Sequence, residues 1–179
     1  MSKSVQQRQR KNNIVTIGLI MVVAFLGFQL YLDSQNPRSP SRQSEDCISN
    51  VRRLATACLT YAADNDNVLP SASIWMDLAK ISLSPTHPKE GSLDVFRCPS
   101  VAKSPSPLEY GYAYSDQAKG SLNAIRNPQT TPFIFDSSDL GWNAHGTIDL
   151  LPVPPRHRAN TVAFGDGHTK AFKVGEPVR

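Results

Sequence analysis

Residues 44–70 read SEDCISNVRRLATACLTYAADNDNVLP. Ser44 stands where a helix cap belongs, and Glu45 and Asp46 occupy the first turn, where negative side chains meet the positive end of the helix dipole. Cys47, Val51, Leu54, Cys58 and Tyr61 or Ala62 then recur at intervals of three and four residues. Ala55 and Leu59 widen that stripe, while Ser49, Arg52, Arg53, Thr56 and Thr60 fall elsewhere. The spacing predicts a helix from Ser44 to about Ala63 with one buried face, stopped by the turn formers of ADNDN and by Pro70.

That face needs a partner, and the downstream sequence supplies one. SASIWMDLAKISL, residues 71–83, predicts a second, short helix with Ile74, Trp75, Leu78, Ala79 and Leu83 apolar. Beyond it come short apolar pieces set between Pro, Gly and Ser: VFRCP at 95–99, YGYAYS at 110–115, PFIFD at 132–136, DLLPVP at 149–154, TVAFG at 161–165 and TKAFKV at 169–174. Such pieces read as short antiparallel strands, and Tyr110, Tyr112 and Tyr114 share one strand face, where they cover a sheet. One long helix packed on a small antiparallel sheet is an α+β domain. Asp166-Gly167 reads as a two-residue hairpin pair, both residues taking positive φ, with Val162 and Phe164 on one side of the strand and Ala163 on the other.

Upstream, Asn12–Leu32 contains no charged residue, and residues 14–32 are long enough as a helix to cross most of a bilayer's hydrocarbon layer. The basic residues before it, Lys3, Arg8, Arg10 and Lys11, account for the whole excess of 19 Lys and Arg over 15 Asp and Glu. They predict an N-terminus in the cytoplasm and an exported remainder. The apolar run exceeds a usual signal core and no clean small-x-small site follows, so it reads as an uncleaved signal anchor. The expected organisation is a basic tail at 1–13, a transmembrane helix at 14–32, a Pro/Ser-rich linker at 33–43 interrupted by Pro37 and Pro40, and an exported domain at 44–179. With the charge excess confined to the tail, the domain has no Arg/Lys stripe for a phosphate backbone, and no nucleic-acid partner is expected.

Three cysteines form no disulfide framework and no CxxC zinc pair. Cys47 and Cys58 share a helix face but stand about 16 Å apart along its axis, so they cannot bridge each other. A disulfide is expected from Cys98 to Cys47, or alternatively to Cys58. Of the four histidines, His87 reads as a loop residue and His145 lies in a Gly-rich turn, while His157, Asp166 and His168 are close in sequence. A metal-dependent hydrolase would need His145, His157, Asp166 and His168 to converge. There is no HExxH, calcium loop, nucleophile elbow, phosphate loop or dinucleotide fingerprint, and the expectation is no catalytic residue, no cofactor and no metal. His157 and Asn160 are expected to tie the incoming loop to the closing hairpin.

Five stretches in order carry a resemblance. CISNVRRLATACLTYAADNDNVLP is similar to the opening of the exported domain of bacterial type II secretion pseudopilin-like proteins, of the major pseudopilin G-like kind. VFRCPS resembles their C-P segment, YGYAYS their tyrosine-rich strand and NPQTTPFIFD a later strand. RHRANTVAFGDGH resembles the closing signature of the prepilin-type processing-associated H-X9-DG group. The matching residues are Cys47, Asn50, Tyr61, Asn65, Pro70, Cys98, Pro99, Tyr112, Asp136, His157, Asn160, Asp166, Gly167 and His168. The resemblance implies a non-enzymatic, single-pass protein of the bacterial inner membrane with a periplasmic or extracytoplasmic domain, and pseudopilin or secretion-apparatus proteins as partners. Two features depart from the pattern: only eight residues separate His157 from Asp166, and the Gly-Phe-Thr-Leu-x-Glu processing signal is lacking. The alternative is a membrane-anchored module binding carbohydrate or protein through the loops at 84–107 and 137–159, with Trp142 exposed for the purpose.

Overall fold

The computed structural model describes residues 3–35, 40–83, 93–101, 106 and 108–178. The chain forms two compact units, Met1–Ser39 and Pro40–Arg179.

The first unit contains helix α1, Lys3–Gln35. All its described side chains, Thr16 to Leu32, are exposed, including Leu19 at 65% and Leu30 at 72%. Among the described residues no helix is long and apolar enough to cross a membrane. The expected span of 14–32 begins with Ile14 and Val15, whose side chains lie outside the described residues.

The second unit begins with helix α2, Pro40–Asp64. It starts four residues before the expected cap, and α1 continues through Gln35, so helix occupies most of the expected linker. Proline suits a first helical position, where its fixed φ is already helical and its missing N–H has no acceptor to lose. Residues 36–39, with Pro37, lie outside the described residues, as does His87. The buried face of α2 is Gln43, Cys47, Val51, Leu54, Cys58 and Ala62, flanked by Ala55 and Ala57. At its end the Asn65 and Asn67 amides both donate to the Ala62 carbonyl, at 3.1 and 2.8 Å. Asp66 and Asn67 adopt positive φ there, a conformation that short polar side chains tolerate.

After a 3-10 turn at Ala72–Ile74, helix α3, Trp75–Leu83, packs on α2 through Trp75, Met76, Ala79 and Leu83. Its start is held by the 142–143 loop. The Met76 amide donates to Asn143 Oδ1 at 2.7 Å, and Trp142 Nε1 and Asn143 Nδ2 donate to Asp77 at 3.0 and 2.7 Å.

Among the described residues five strands form one sheet in the order β3-β1-β2-β4-β5: β1 Tyr112–Ser115, β2 Pro132–Asp136, β3 His145–Gly146, β4 Asn160–Phe164 and β5 Thr169–Phe172. Every neighbouring pair is antiparallel except β1 with β3, a two-residue parallel edge absent from the expected set. The architecture is α+β, with α2 lying across β2, β4 and β5. Tyr112, Tyr114 and Ala163 face the helices with Tyr110 beside them, as strand alternation requires. Ala113, Phe135, Val162, Phe164 and Phe172 make a second apolar layer on the other face, covered by Ile148, Leu150, Leu151 and Val178. A register shift between Pro132 and Ile134 places Phe133 and Ile134 both on the helix side, because a bulge removes one step of the alternation.

Two expected strands are absent. VFRCP holds the end of a 3-10 turn, Leu93–Phe96, followed by a bend into Pro99, and DLLPVP begins in a 3-10 turn, Ile148–Leu150, and then runs irregularly. Pro99, Pro152 and Pro154 lack the amide that a ladder needs. The closing hairpin also differs in detail. Gly167, at φ +88°, is left-handed but Asp166 is not, and the Phe164 amide pairs with the His168 carbonyl at 2.9 Å. The connection is therefore a three-residue loop, Gly165–Gly167, with glycine at its left-handed position.

Tyr114 carries an unusual polar atom. It is 1% exposed and its ring meets Phe133 edge-on at 5.3 Å, yet among the described residues its hydroxyl has no hydrogen-bond partner. Burial without a partner costs free energy, so Tyr114→Phe should leave the melting temperature unchanged or raise it by a few degrees; a drop of that size in a thermal melt would contradict this.

Candidate functional site

Six of the residues that carry the family resemblance meet in the core between α2 and the sheet: Cys47, Asn50, Cys98, Tyr112, Asp136 and His157. Each arrives for a local reason. Cys47 lies on the buried stripe of α2 one turn before Val51. Asp136 ends β2, opposite Tyr112 on β1. Cys98 follows the 3-10 turn Leu93–Phe96, its amide donating to the Tyr110 carbonyl at 2.7 Å. His157 lies in the loop entering β4. That loop is held by Asn160 Nδ2 on the Pro152 carbonyl at 3.0 Å and by the Arg156 guanidinium on the Gly111 and Ser137 carbonyls.

The hydrogen bonds form two chains that end on the sulfurs. Asn50 Nδ2 donates to Tyr112 Oη and to the Arg97 carbonyl, both at 3.3 Å, and Tyr112 Oη donates to Cys47 Sγ at 3.6 Å. The Cys47 thiol donates to Asp136 Oδ1 at 2.9 Å, and Asp136 Oδ2 accepts the Thr161 amide at 2.7 Å. From the other side, Ser100 Oγ donates to Gln43 Oε1 at 3.1 Å and lies 3.3 Å from His157 Nδ1, while His157 Nε2 lies 3.3 Å from Cys98 Sγ. The Cys47 and Cys98 sulfurs and an imidazole nitrogen of His157 all lie within 4.8 Å of one another.

Burial sets the electrostatics. Asp136 is 2% exposed, and loss of solvent pushes its carboxyl up to about 6, aided by the charge of Cys98. The neighbouring Cys47 sulfur, and then the His157 ring, lower the Cys98 thiol below its ordinary value. Cys47 is pushed the opposite way by the neighbouring Cys98 sulfur, by burial and by the Asp136 charge. Tyr112 is raised, chiefly by burial.

The three cysteines are unbridged. Of the two pairings expected from sequence, Cys98 has Cys47 as its neighbour, whereas Cys58 is buried beside Tyr114. His157 does not tie the loop to the hairpin as expected: its ring turns to Cys98 and Ser100, and Asn160 holds the loop itself. Nor do His145, His157, Asp166 and His168 converge. Exposed His145 pairs with Asp116 at 2.9 Å. His168 pairs with its hairpin neighbour Asp166 at 2.6 Å and stacks on Phe164 at 4.5 Å. Trp142 is packed against Phe96 and Tyr110 with its nitrogen on Asp77, so its indole is engaged within the domain. On the sheet face away from α2, a cleft of about 330 Å³ opens between the 148–155 segment and the 172–178 tail.

The chain matches no protein-family model, no curated protein and no solved structure.

The cluster was hidden from the sequence because its hydrogen-bonded members lie 59 to 89 residues apart and come from five segments. The resemblance gathered six of them by motif, but only the fold makes them neighbours. Ser100 and Gln43, which orient His157, had no signal of their own.

Proposed function

We propose that the protein is a non-enzymatic, single-pass envelope protein, anchored in a bacterial inner membrane by residues 14–32. Its pseudopilin-like exported domain would serve as an accessory or divergent subunit of a type II secretion or pilus-like apparatus. The observation that carries this reading is the exposed run Thr16–Leu32 of α1, without a charged residue on any side, in a chain whose other unit is an amphipathic helix on an antiparallel sheet. A helix without a polar stripe has no aqueous face, and a bilayer satisfies it. The residues of the resemblance support the second half, since they pin α2 to the loops that frame the sheet.

Two measurements test the two halves. The full chain should stay in the membrane fraction through alkaline carbonate extraction, and its release to the supernatant would refute the anchor. Crosslinking in intact cells followed by affinity capture should recover pseudopilin or secretion-apparatus proteins; a capture containing none of them would refute the partner assignment.

A further inference from the structure

We infer that Cys47, Cys98 and His157 form a buried structural site for a zinc-class divalent cation that clamps α2 to the loops entering β1 and β4. This goes beyond the envelope reading and stands whether or not the chain joins an apparatus.

Donor type and spacing are the first argument. Two thiolates and an imidazole are the ligands that zinc prefers, and donors sharing a tetrahedral zinc lie about 3.5–3.8 Å apart. Here the three donor atoms already fall within 4.8 Å of one another, with Cys98 Sγ and His157 Nε2 at 3.3 Å. Both cysteines are fully buried and His157 is half-buried, the setting of a closed site.

The orientation of His157 is the second. Ser100 spends its hydroxyl proton on Gln43, so its oxygen accepts from His157 Nδ1, and Nε2 is the nitrogen left facing the sulfurs. A hydrogen bond at the far ring nitrogen, fixing which nitrogen binds, is the usual surround of a metal-bound histidine.

The third argument separates an ion from a disulfide. In the unbridged form the Cys47 proton satisfies Asp136 Oδ1, and Cys98 Sγ faces His157 Nε2 at 3.3 Å. A Cys47–Cys98 bond would remove both thiol hydrogens, leaving that oxygen of a fully buried carboxylate without its donor and Nε2 against a sulfur with no proton to share. A divalent cation removes the same two protons but replaces them with charge. Two thiol protons are released, two thiolates and Nε2 bind the ion, and Asp136 gains a cation beside it. Asp136, already against Cys47, is the nearest carboxylate for the fourth position.

The test uses full-length protein extracted from membranes without chelator or reductant. Elemental analysis should find about one zinc per chain, with all three thiols titrating after denaturation in chelator. His157→Ala and Cys98→Ser should each bring the zinc content close to zero. Should either variant fail to fold, cobalt(II) loading of the wild-type chain gives the same answer: thiolate-to-cobalt charge transfer with tetrahedral ligand-field bands is expected. A Cys47–Cys98 linked peptide in a non-reducing map of metal-free protein would overturn the proposal. So would zinc retained in a folded Cys98→Ser variant, or cobalt bound without thiolate charge transfer.

Discussion

Trp75→Ala is expected to lower the unfolding free energy of the domain by about 3–5 kcal/mol, the usual cost of emptying a fully buried aromatic site. Trp75 has no exposed surface, and its ring lies 6.0 Å from that of Tyr114. Its Nε1 donates to the Ala144 carbonyl at 2.9 Å, the same carbonyl that accepts the Tyr114 amide at 3.0 Å. The substitution therefore opens a cavity under α3 and loosens the attachment of β3 to β1. Trp75→Phe keeps much of the volume and loses the hydrogen bond, so it should cost less, about 1–2 kcal/mol. Urea denaturation of the full chain in detergent, followed by circular dichroism, measures both. Equal losses for the two variants would show that the Ala144 contact, not the volume, sets the energy.

Gly111→Ala has the second largest expected effect, a loss of about 2–5 kcal/mol from two additive causes. Gly111 is held at φ +96°, which an L side chain resists. A β-carbon there would also lie 3.0 Å from Val101 Cγ2, 3.1 Å from Arg156 Nη1 and 3.2 Å from Cys98 Cβ. The Gly111 carbonyl accepts the Ser137 amide at 2.9 Å, so the backbone cannot swing away without breaking the start of β1. Because one of the three obstructing atoms belongs to Cys98, the variant should also disturb the sulfur cluster. A melting temperature within a degree or two of wild type would show that the loop at 98–101 yields freely.

Much of the fold was legible because two periodicities are simple. Cys47, Val51, Leu54, Cys58 and Ala62 recur with the helical repeat, and the alternation around Tyr112, Phe135 and Val162 marks strands buried on both faces. The failures have physical causes. Nothing in VFRCP except its closing proline, Pro99, distinguishes a strand from a 3-10 turn. β3 is two residues long, and what makes it a strand is the acceptance of two amides, Tyr114 on Ala144 and Asp116 on Gly146, by a loop with no strand pattern. The site was less legible than the fold. Sequence proximity grouped His157 with Asp166 and His168, yet the loop into β4 carries His157 to Cys98, 59 residues away. The departure from the H-X9-DG spacing falls in the segment between that ring and the hairpin, and the two face different partners.

The strand order also bears on self-association. An open sheet exposes unpaired backbone groups at its two borders, and these recruit strands from other molecules. At one border stands β3, only two residues long. At the other stands β5, where Lys170 lies over the Phe172 ring at 4.5 Å and pairs with Glu176 at 3.4 Å, so a desolvated approach along that strand must displace charge. Both borders are thus poor templates for strand addition, and amyloid-like or domain-swapped pairing through the sheet is disfavoured even when many copies are held side by side.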